Sequence, residues 1–183
     1  MQKLPLSKVY RYIEPGPVVF MTTSQNGKHN IMSMSYLMVI KDDAPPLIAI
    51  MMGPWDYSYK LFLTTEECTI AIPTVDLASE VMEIGNCQGD KIDKFKKFNL
   101  NPIAGEKIKA PLIQECLANF ECKLHDTSMA DKYGMFIVKV VAAWVNKDKE
   151  EKRMVHHNGD GVLTVDGEKL KFKDKMTRWP SYT

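Results

Sequence analysis

The most informative hydrophobic pattern lies in residues 16–40, "GPVVFMTTSQNGKHNIMSMSYLMVI", where two apolar stretches flank Asn26-Gly27. This dipeptide favours a two-residue type I′ hairpin turn, because both central residues of that turn need a positive φ. Positions whose numbers sum to 53 then face each other, so that Phe20, for example, pairs with Ser33. The pattern therefore predicts an antiparallel hairpin with a defined register.

Side-chain alternation divides this hairpin into two faces, and both are mostly apolar with small hydroxyls between. Neither face suits open solvent, which favours a strand of a barrel or sandwich that is covered on both sides. Ser33 and Ser35 are predicted to share one face and Met32 and Met34 the other. The first face also carries Val18, Phe20, Thr22 and Leu37, and the second carries Val19, Met21 and Tyr36.

The rest of the chain contains several further strand-like runs bounded by turn residues. These runs are "LIAIMM", "CTIAI", "CLANFECKLHD", "GMFIVKVVAAWV" and short pieces around two Asp-Gly turns in "NGDGVLTVDGEKLKF". Helices are predicted from Asp56, a good N-cap residue, over "LASEVMEIG" and over "DKIDKFKKF".

Five to seven strands against three modest helices, without regular alternation, disfavour a doubly wound parallel sheet. The pattern predicts a mainly β fold, an antiparallel β-barrel with peripheral helices. No repeat, linker or composition shift interrupts the chain, so residues 1–183 are predicted to form a single domain.

Composition narrows the classes of function. The net charge of +1 provides no strong field for nucleic acid or an anionic membrane. The longest apolar runs are far shorter than the roughly 20 residues of a membrane-spanning helix. The first residues, "MQKLPLSKVYRYIEPG", show no signal-peptide core, so a cytoplasmic location is expected.

Motifs for metal or nucleotide chemistry are missing from the sequence. The cysteines at 68, 87, 116 and 122 have no CxxC spacing, so free thiols rather than structural zinc are expected. Cys87 lies in the polar segment "GNCQGDK", and the sequence does not decide between a core role and a functional role for it. His156 and His157 are adjacent, so on a strand they point to opposite faces and cannot share one metal. If the protein is an enzyme, a bound cofactor is expected to carry its chemistry.

Two weaker patterns each have a structural interpretation. "GDGVLTVDGE" has some features of a calcium loop but lacks the ligand spacing, and two hairpin turns explain it better. "KIDKFKKF" interleaves lysine with phenylalanine as a nucleic-acid surface can. With a net charge of +1, a solvated amphipathic helix is the preferred interpretation.

Three segments, in this order, resemble the flavin reductase-like family of FMN-binding split barrels, which includes flavoredoxin-type proteins. They are "EPGPVVFMTTSQNGKHNIMSMSYLMVI", "PPLIAIMMGPWDYSYKLFLTTEECTIAIPTVDLA" and "IGNCQGDKIDKFKKFNLNP". The resemblance covers about residues 5–146, and the tail near "GDGVLTVDGEKLKF" resembles one branch of the family only.

The resemblance implies an antiparallel split β-barrel of Greek-key type that forms a homodimer with FMN at the subunit interface. NADH or NADPH would be the transient electron donor, and a protein or free flavin the acceptor. The strand after the hairpin turn would present backbone and hydroxyl groups to the flavin ring, through Asn30, Ile31, Met32, Ser33, Met34, Ser35 and Tyr36. The next helix start would hold the phosphate, through Tyr57, Ser58, Tyr59 and Lys60. A later segment would close over the ring, through Cys87, Gly89, Asp93, Lys94 and Phe95.

The residue chemistry agrees with this implication. Methionine provides soft apolar contacts for a flat ring, and small hydroxyls and amides can approach its hydrogen-bonding edge. A helix start with a nearby lysine suits a phosphate, provided that the Asp56 carboxylate points away to cap the helix. Two alternatives stay open: an electron carrier without NAD(P)H reductase activity of its own, and a β-barrel binding module without flavin.

Overall fold

The computed structural model describes residues 4–13, 16–172 and 175, and a seven-stranded antiparallel sheet dominates them. The strands, in chain order, are β1 (Val19–Gln25), β2 (Lys28–Met34), β3 (Leu37–Lys41), β4 (Leu47–Met51), β5 (Glu67–Ile72), β6 (Pro102–Ile103), β7 (Leu112–Ile113), β8 (Ala118–Asp126), β9 (Met135–Val145), β10 (Val155–His157) and β11 (Leu163–Val165). The large sheet has the order β2-β1-β5-β8-β9-β4-β3, while β6 pairs with β7 and β10 with β11.

The large sheet closes on itself. β2 and β3 lie at opposite ends of the strand order, yet Met34 and Leu37 are three residues apart in the chain. Three residues of extended chain span at most about 11 Å, so the two edges must lie close together. The sheet is therefore rolled into a barrel with a seam between β2 and β3, and the prediction of a mainly β, antiparallel barrel is confirmed.

The first hairpin has the predicted turn and register. Asn26 and Gly27 have φ values of 51° and 76°, the positive values that a type I′ turn requires. Phe20 pairs with Ser33, and Met21 with Met32. The two-residue turn fixes which side chains of β1 and β2 face the inside of the barrel.

The two faces of the hairpin enter two separate hydrophobic clusters. Val19, Met21 and Met34 pack with Phe62 and Phe136 in the barrel interior. On the other face, a second cluster contains Val18, Phe20, Ile31, Ile84 and Phe95, covered by two helices. The assignment of Leu37 to the same face as Phe20 and Ser33 is wrong, because β2 ends at Met34 and the chain turns before β3, which places Leu37 against the interior cluster.

Short helices surround the barrel. They are α1 (Tyr10–Ile13), α2 (Tyr57–Thr65), α3 (Ala78–Gly85), α4 (Lys94–Lys97) and α5 (Ala130–Tyr133), with 3-10 turns at Leu6–Lys8 and Val75–Leu77. α3, which was predicted over "LASEVMEIG", buries Val81 and Ile84. The helix predicted over 90–98 is shorter than expected, because Asp93 caps it late by accepting from the amide of Lys96 at 3.1 Å.

The C-terminal hairpin is attached to the start of the barrel. The amide of Val18 donates to the carbonyl of Val155 at 2.8 Å. The first predicted Asp-Gly turn, at Asp160, connects β10 and β11. The second does not begin a strand, because the Asp166 carboxylate instead accepts from the amide of Met154 and bonds His156.

Three further expectations concern the described residues. Cys68, Cys116 and Cys122 are buried, Cys87 is half-buried, and all four are free thiols as predicted. Among residues 4–13, 16–172 and 175, no group of three metal-ligating side chains comes together. In that same part of the chain, no helix has the length and apolar character needed to cross a membrane.

Candidate functional site

A cavity of about 210 Å³ lies where β2, the start of α2 and the segment from α3 to α4 meet. We call it the central cavity. It contains side chains or backbone from all three segments that were predicted to hold a flavin. Its lining includes eight predicted residues, Asn30, Met32, Ser33, Tyr57, Ser58, Cys87, Gly89 and Lys94, and five others, Trp55, Asp56, Ile84, Gly85 and Gln88.

Asn30 is the best-defined polar group of the central cavity. It is only 4% exposed, and its Nδ2 donates to Ser58 Oγ at 2.8 Å. Its Oδ1 is buried without a hydrogen-bond partner among the described residues. A buried acceptor without a partner is costly. The amide of Asn30 therefore has unused capacity to bind a hydrogen-bonding ligand.

Gly89 is required for this arrangement. A Cβ at this position would lie 1.9 Å from Asn30 Oδ1 and 2.7 Å from Tyr57 Cδ1. Real Cβ atoms do not approach other atoms so closely. Any larger residue would displace the Asn30 side chain or the Tyr57 ring, and with them the wall of the cavity.

Lys94 brings a buried positive charge to the same cavity. Its side chain is 4% exposed, and Nζ donates to the carbonyls of Ile31 at 2.8 Å and Ile84 at 3.1 Å. An ammonium has three N–H donors, so one donor stays unassigned. Burial is the main cause that lowers the pKa of Lys94 below its ordinary value. In the described residues no carboxylate lies within ion-pair distance of Lys94.

The start of α2 differs from the prediction in one respect. Asp56 is the N-cap residue, but its side chain does not cap the helix. Its Oδ2 instead accepts from the amide of Gly53 at 2.9 Å and closes the preceding turn. The side chain lines the central cavity beside Ser58, so the helix start offers a carboxylate as well as amides.

Trp55 was not predicted as a site residue. It is 84% exposed at the mouth of the central cavity, and its indole covers Gly53 so closely that a Cβ there would lie 2.2 Å from the ring. The sequence feature that could have indicated Trp55 as a site residue is a large aromatic side chain between Pro54 and Asp56, in a polar turn. An exposed indole of this kind is typical of ligand or partner surfaces.

Two predicted side chains already have partners in the protein. Ser33 Oγ donates to the carbonyl of Val81 at 2.6 Å, so its hydroxyl can serve a ligand only as an acceptor. Cys87 Sγ accepts from Lys97 Nζ at 3.3 Å. Both groups therefore line the central cavity in fixed positions.

A larger polar groove of about 920 Å³ adjoins the central cavity and shares Asn30, Tyr57 and Gly89 with it. Its lining includes Lys28 and Lys91 and the predicted residues Asp93 and Phe95. The buried Phe95 side chain belongs to the second hydrophobic cluster. The groove and the central cavity together form a continuous surface with an apolar part and a polar, lysine-containing part.

The remaining predicted residues lie away from the central cavity. Met34 and Ser35 line a third, mostly apolar cavity of about 240 Å³, together with Ser33 and His157. The side chain of Ile31 is buried in the second cluster, and that of Tyr59 packs edge-on against Phe136 at 5.7 Å between ring centroids. Tyr36 and Lys60 are exposed.

Comparison with known proteins identifies the family. The family described as "Flavin reductase like domain" matches residues 10–162. The chain belongs to this family. An uncharacterised protein of Archaeoglobus fulgidus is 27% identical over 114 residues, which cover 62% of this chain and 64% of that protein. The matched part is therefore slightly less than two thirds of the length of this relative.

Two solved structures have the same fold. The first is an FMN-binding domain of a flavin reductases-like enzyme from Shewanella baltica OS155. It has a TM-score of 0.78 and 21% identity, over 92% of this chain and 95% of that chain. The second is flavoredoxin of Desulfovibrio vulgaris (Miyazaki F), with a TM-score of 0.81 and 23% identity, over 94% and 97%. The resemblance seen in the sequence is therefore confirmed for the family and for the fold.

Proposed function

We propose that the chain is an FMN-binding oxidoreductase that holds the flavin ring in the central cavity. The observation that carries this proposal is the buried Oδ1 of Asn30, which has no partner among the described residues and lies on a cavity built by the three predicted segments. The free donor of Lys94 lines the same cavity. An isoalloxazine ring has both donors and acceptors on its edge, so these groups fit it.

The protein residues would position the ligand rather than react with it. Met32 and Ile84 provide apolar walls for a flat ring. Asn30, Ser33 and Lys94 provide polar atoms for its edge. The hydride-accepting chemistry belongs to the bound FMN, so no side chain needs to act as an acid or base.

The phosphate of FMN is proposed to lie at the junction between the central cavity and the polar groove. Tyr57 and Ser58 start α2 there, and Lys28 and Lys91 line the groove beyond. Amides at a helix start and nearby lysines favour an anion. Asp56 keeps its carboxylate on the Gly53 amide, so it has to be neutralised or to stay distant from the phosphate.

A homodimer is part of the proposal. The edge strand β3 exposes Met38 and Val39, and Tyr36 and Met51 are exposed next to it. An exposed apolar edge strand favours pairing or burial against another chain. A second copy that covers this surface would enclose a flavin near the β2–β3 seam.

The electron donor is proposed to be NADH or NADPH, and the acceptor a protein or free flavin. The second candidate, a flavoredoxin-like carrier, would share the FMN site but would not be reduced by nicotinamide donors. Stopped-flow mixing of the FMN-loaded protein with NADH and with NADPH separates the two. Loss of the 450 nm absorbance on mixing supports the reductase, and stable absorbance with either donor supports the carrier.

FMN binding is tested with the Gly89→Ala variant. Its added methyl group must displace Asn30 or Tyr57, so we expect the affinity for FMN, measured by quenching of flavin fluorescence, to fall at least tenfold. Gly167→Ala is the matched control, because a Cβ there meets no atom within 4 Å. Wild-type protein that ignores micromolar FMN, or equal affinities of the two variants, would contradict the proposed site.

A further inference from the structure

Lys94 is a buried cation without an anionic partner among the described residues. Fully buried lysines are rare unless they are paired, because an uncompensated buried charge costs several kcal/mol. The two carbonyls that bind Nζ satisfy hydrogen bonds but carry no full negative charge. A group in this position is stabilised by a ligand that brings negative charge into the cavity.

No carboxylate among the described residues forms an ion pair with Lys94. The Asp56 carboxylate lines the cavity but accepts from the Gly53 amide, and it lies beyond ion-pair distance from Lys94. A charge on Cys87 raises the pKa of Lys94, but burial has the larger effect and lowers it. The Cys87 sulfur itself accepts from Lys97 Nζ. The Asp93 carboxylate accepts from the amide of Lys96, and Asp93 lines the polar groove rather than the central cavity.

Two-electron reduction of a bound flavin would create the negative charge that Lys94 lacks as a partner. When a hydride donor gives one hydride, which is two electrons and one proton, to a neutral flavin ring, the ring gains one negative charge and the donor becomes oxidised. No further proton is needed for this balance. A positive charge in a low-dielectric site stabilises the anionic product more than the neutral oxidised ring.

We propose, on the basis of the proposed function, that Lys94 makes the central cavity bind reduced flavin more tightly than oxidised flavin. The flavin then stays on the protein through its redox cycle instead of leaving after reduction. The chain would then hold the reduced flavin and pass its electrons to the acceptor.

The geometry favours the ring rather than the phosphate as the partner of Lys94. Its Nζ is bound to backbone carbonyls of β2 and α3, and Met32 and Ile84 line the same cavity as Lys94. The polar groove has lysines of its own for a phosphate, at positions 28 and 91. Lys94 is therefore at the end of the site that suits the flat apolar part of the ligand.

The test uses Lys94→Gln, which keeps hydrogen-bond donors but removes the charge. Lys132→Gln, which makes the same change at an exposed lysine of α5 that lines neither the central cavity nor the polar groove, is the control. Affinities for oxidised FMN and riboflavin are measured by fluorescence. The midpoint potential of the bound flavin is measured against free FMN in the same buffer, by slow reduction with a reference dye.

In the wild type we expect reduced FMN to bind at least tenfold more tightly than oxidised FMN, which corresponds to a midpoint potential about 30 mV above that of free FMN. Lys94→Gln should abolish this difference, and Lys132→Gln should keep it. The loss should be the same with riboflavin, which has no phosphate.

Other results would contradict either the role of Lys94 or the proposed function. A wild type that binds FMN at the potential of free FMN overturns the role of Lys94 but not the proposed function. A wild type that binds no FMN overturns the proposed function itself. A Lys94→Gln protein that keeps the potential but no longer distinguishes FMN from riboflavin assigns Lys94 to the phosphate. If circular dichroism shows that Lys94→Gln does not fold, the midpoint potential of FMN on the wild type is still a test, because a potential equal to that of free FMN contradicts the proposal.

Discussion

Glu121 holds the loop of residues 104–109 against the barrel. The side chain is fully buried on β8, and its two carboxylate oxygens accept four hydrogen bonds. The donors are the amides of Glu106 at 3.0 Å, Lys107 at 2.7 Å and Ile108 at 3.1 Å, and the Trp144 indole at 2.8 Å. Because each oxygen serves two donors, both must be acceptors.

The substitution Glu121→Gln replaces one of these oxygens by an amino group, which donates instead of accepting. Two of the four donors then lose their acceptor and face another donor. A buried donor left without a partner costs about 1–3 kcal/mol. We therefore expect the free energy of unfolding to fall by roughly 4 kcal/mol, a large part of the 5–15 kcal/mol typical of a domain.

Urea unfolding, followed by circular dichroism at one fixed FMN concentration, measures this change. With a slope of about 2 kcal/mol per molar urea, the midpoint should fall by about 2 M. Glu115→Gln is the matched control, because its carboxylate binds Asn101 at the surface, where such contacts contribute about 1 kcal/mol or less. Equal midpoints for the two variants would refute the buried-acceptor reasoning.

The pH dependence of Glu121 gives an independent check. Burial on its own raises the pKa of Glu121, but the hydrogen bonds from the three loop amides and the indole outweigh it and hold the pKa below its ordinary value. The stabilisation is therefore complete above the ordinary glutamate pKa, about 4.3, and is lost as pH falls through the lowered pKa. The difference between wild type and Glu121→Gln should shrink in that acidic range.

Two further predictions concern the central cavity. Ser33→Val should weaken FMN binding several-fold, as measured by fluorescence quenching, because it removes an acceptor from the cavity. It should also lower the free energy of unfolding by about 1 kcal/mol through the lost bond to Val81. Ser35→Val, outside the cavity, should leave FMN affinity unchanged, and a folded but destabilised Ser33→Val with unchanged affinity would show that Ser33 has a purely structural role. In native protein, a thiol reagent such as DTNB should label Cys87 alone, because the other cysteines are buried and burial raises the pKa of Cys116. The labelling of Cys87 should be slower when FMN is bound. Labelling of several thiols, or a labelling rate that does not change with FMN, would contradict this prediction.

Local features of the fold were predictable from sequence because they depend on few neighbouring residues. The Asn26-Gly27 turn requires two positive φ values, and this requirement alone fixes the pairing of Phe20 with Ser33. The faces of β2 follow from alternation up to Met34. Beyond it the chain turns, and a pattern with a period of two cannot show that Leu37 returns to the barrel interior.

The polar details of the site were not predictable, because they arise from contacts between distant segments. The sequence predicts Lys94 to be a solvated residue of an amphipathic helix. In the structure its side chain is buried, because Nζ donates to carbonyls of β2 and α3. Asp56 has the sequence position of a helix cap, but its carboxylate accepts from the Gly53 amide and makes no capping bond. Which residues line the central cavity depends on how these segments pack, so half of the predicted set lies elsewhere.

The strand order has a consequence for synthesis of the chain. β9 lies between β8 and β4, and Leu47 of β4 pairs with Lys139 of β9. The barrel therefore cannot close until the segment through Val145 has left the ribosome. Until then β3 and β4 form only an isolated hairpin, which is marginally stable in water. The apolar β4 strand is thus exposed during translation for the time needed to make about half of the protein, the period in which such chains are most prone to aggregate.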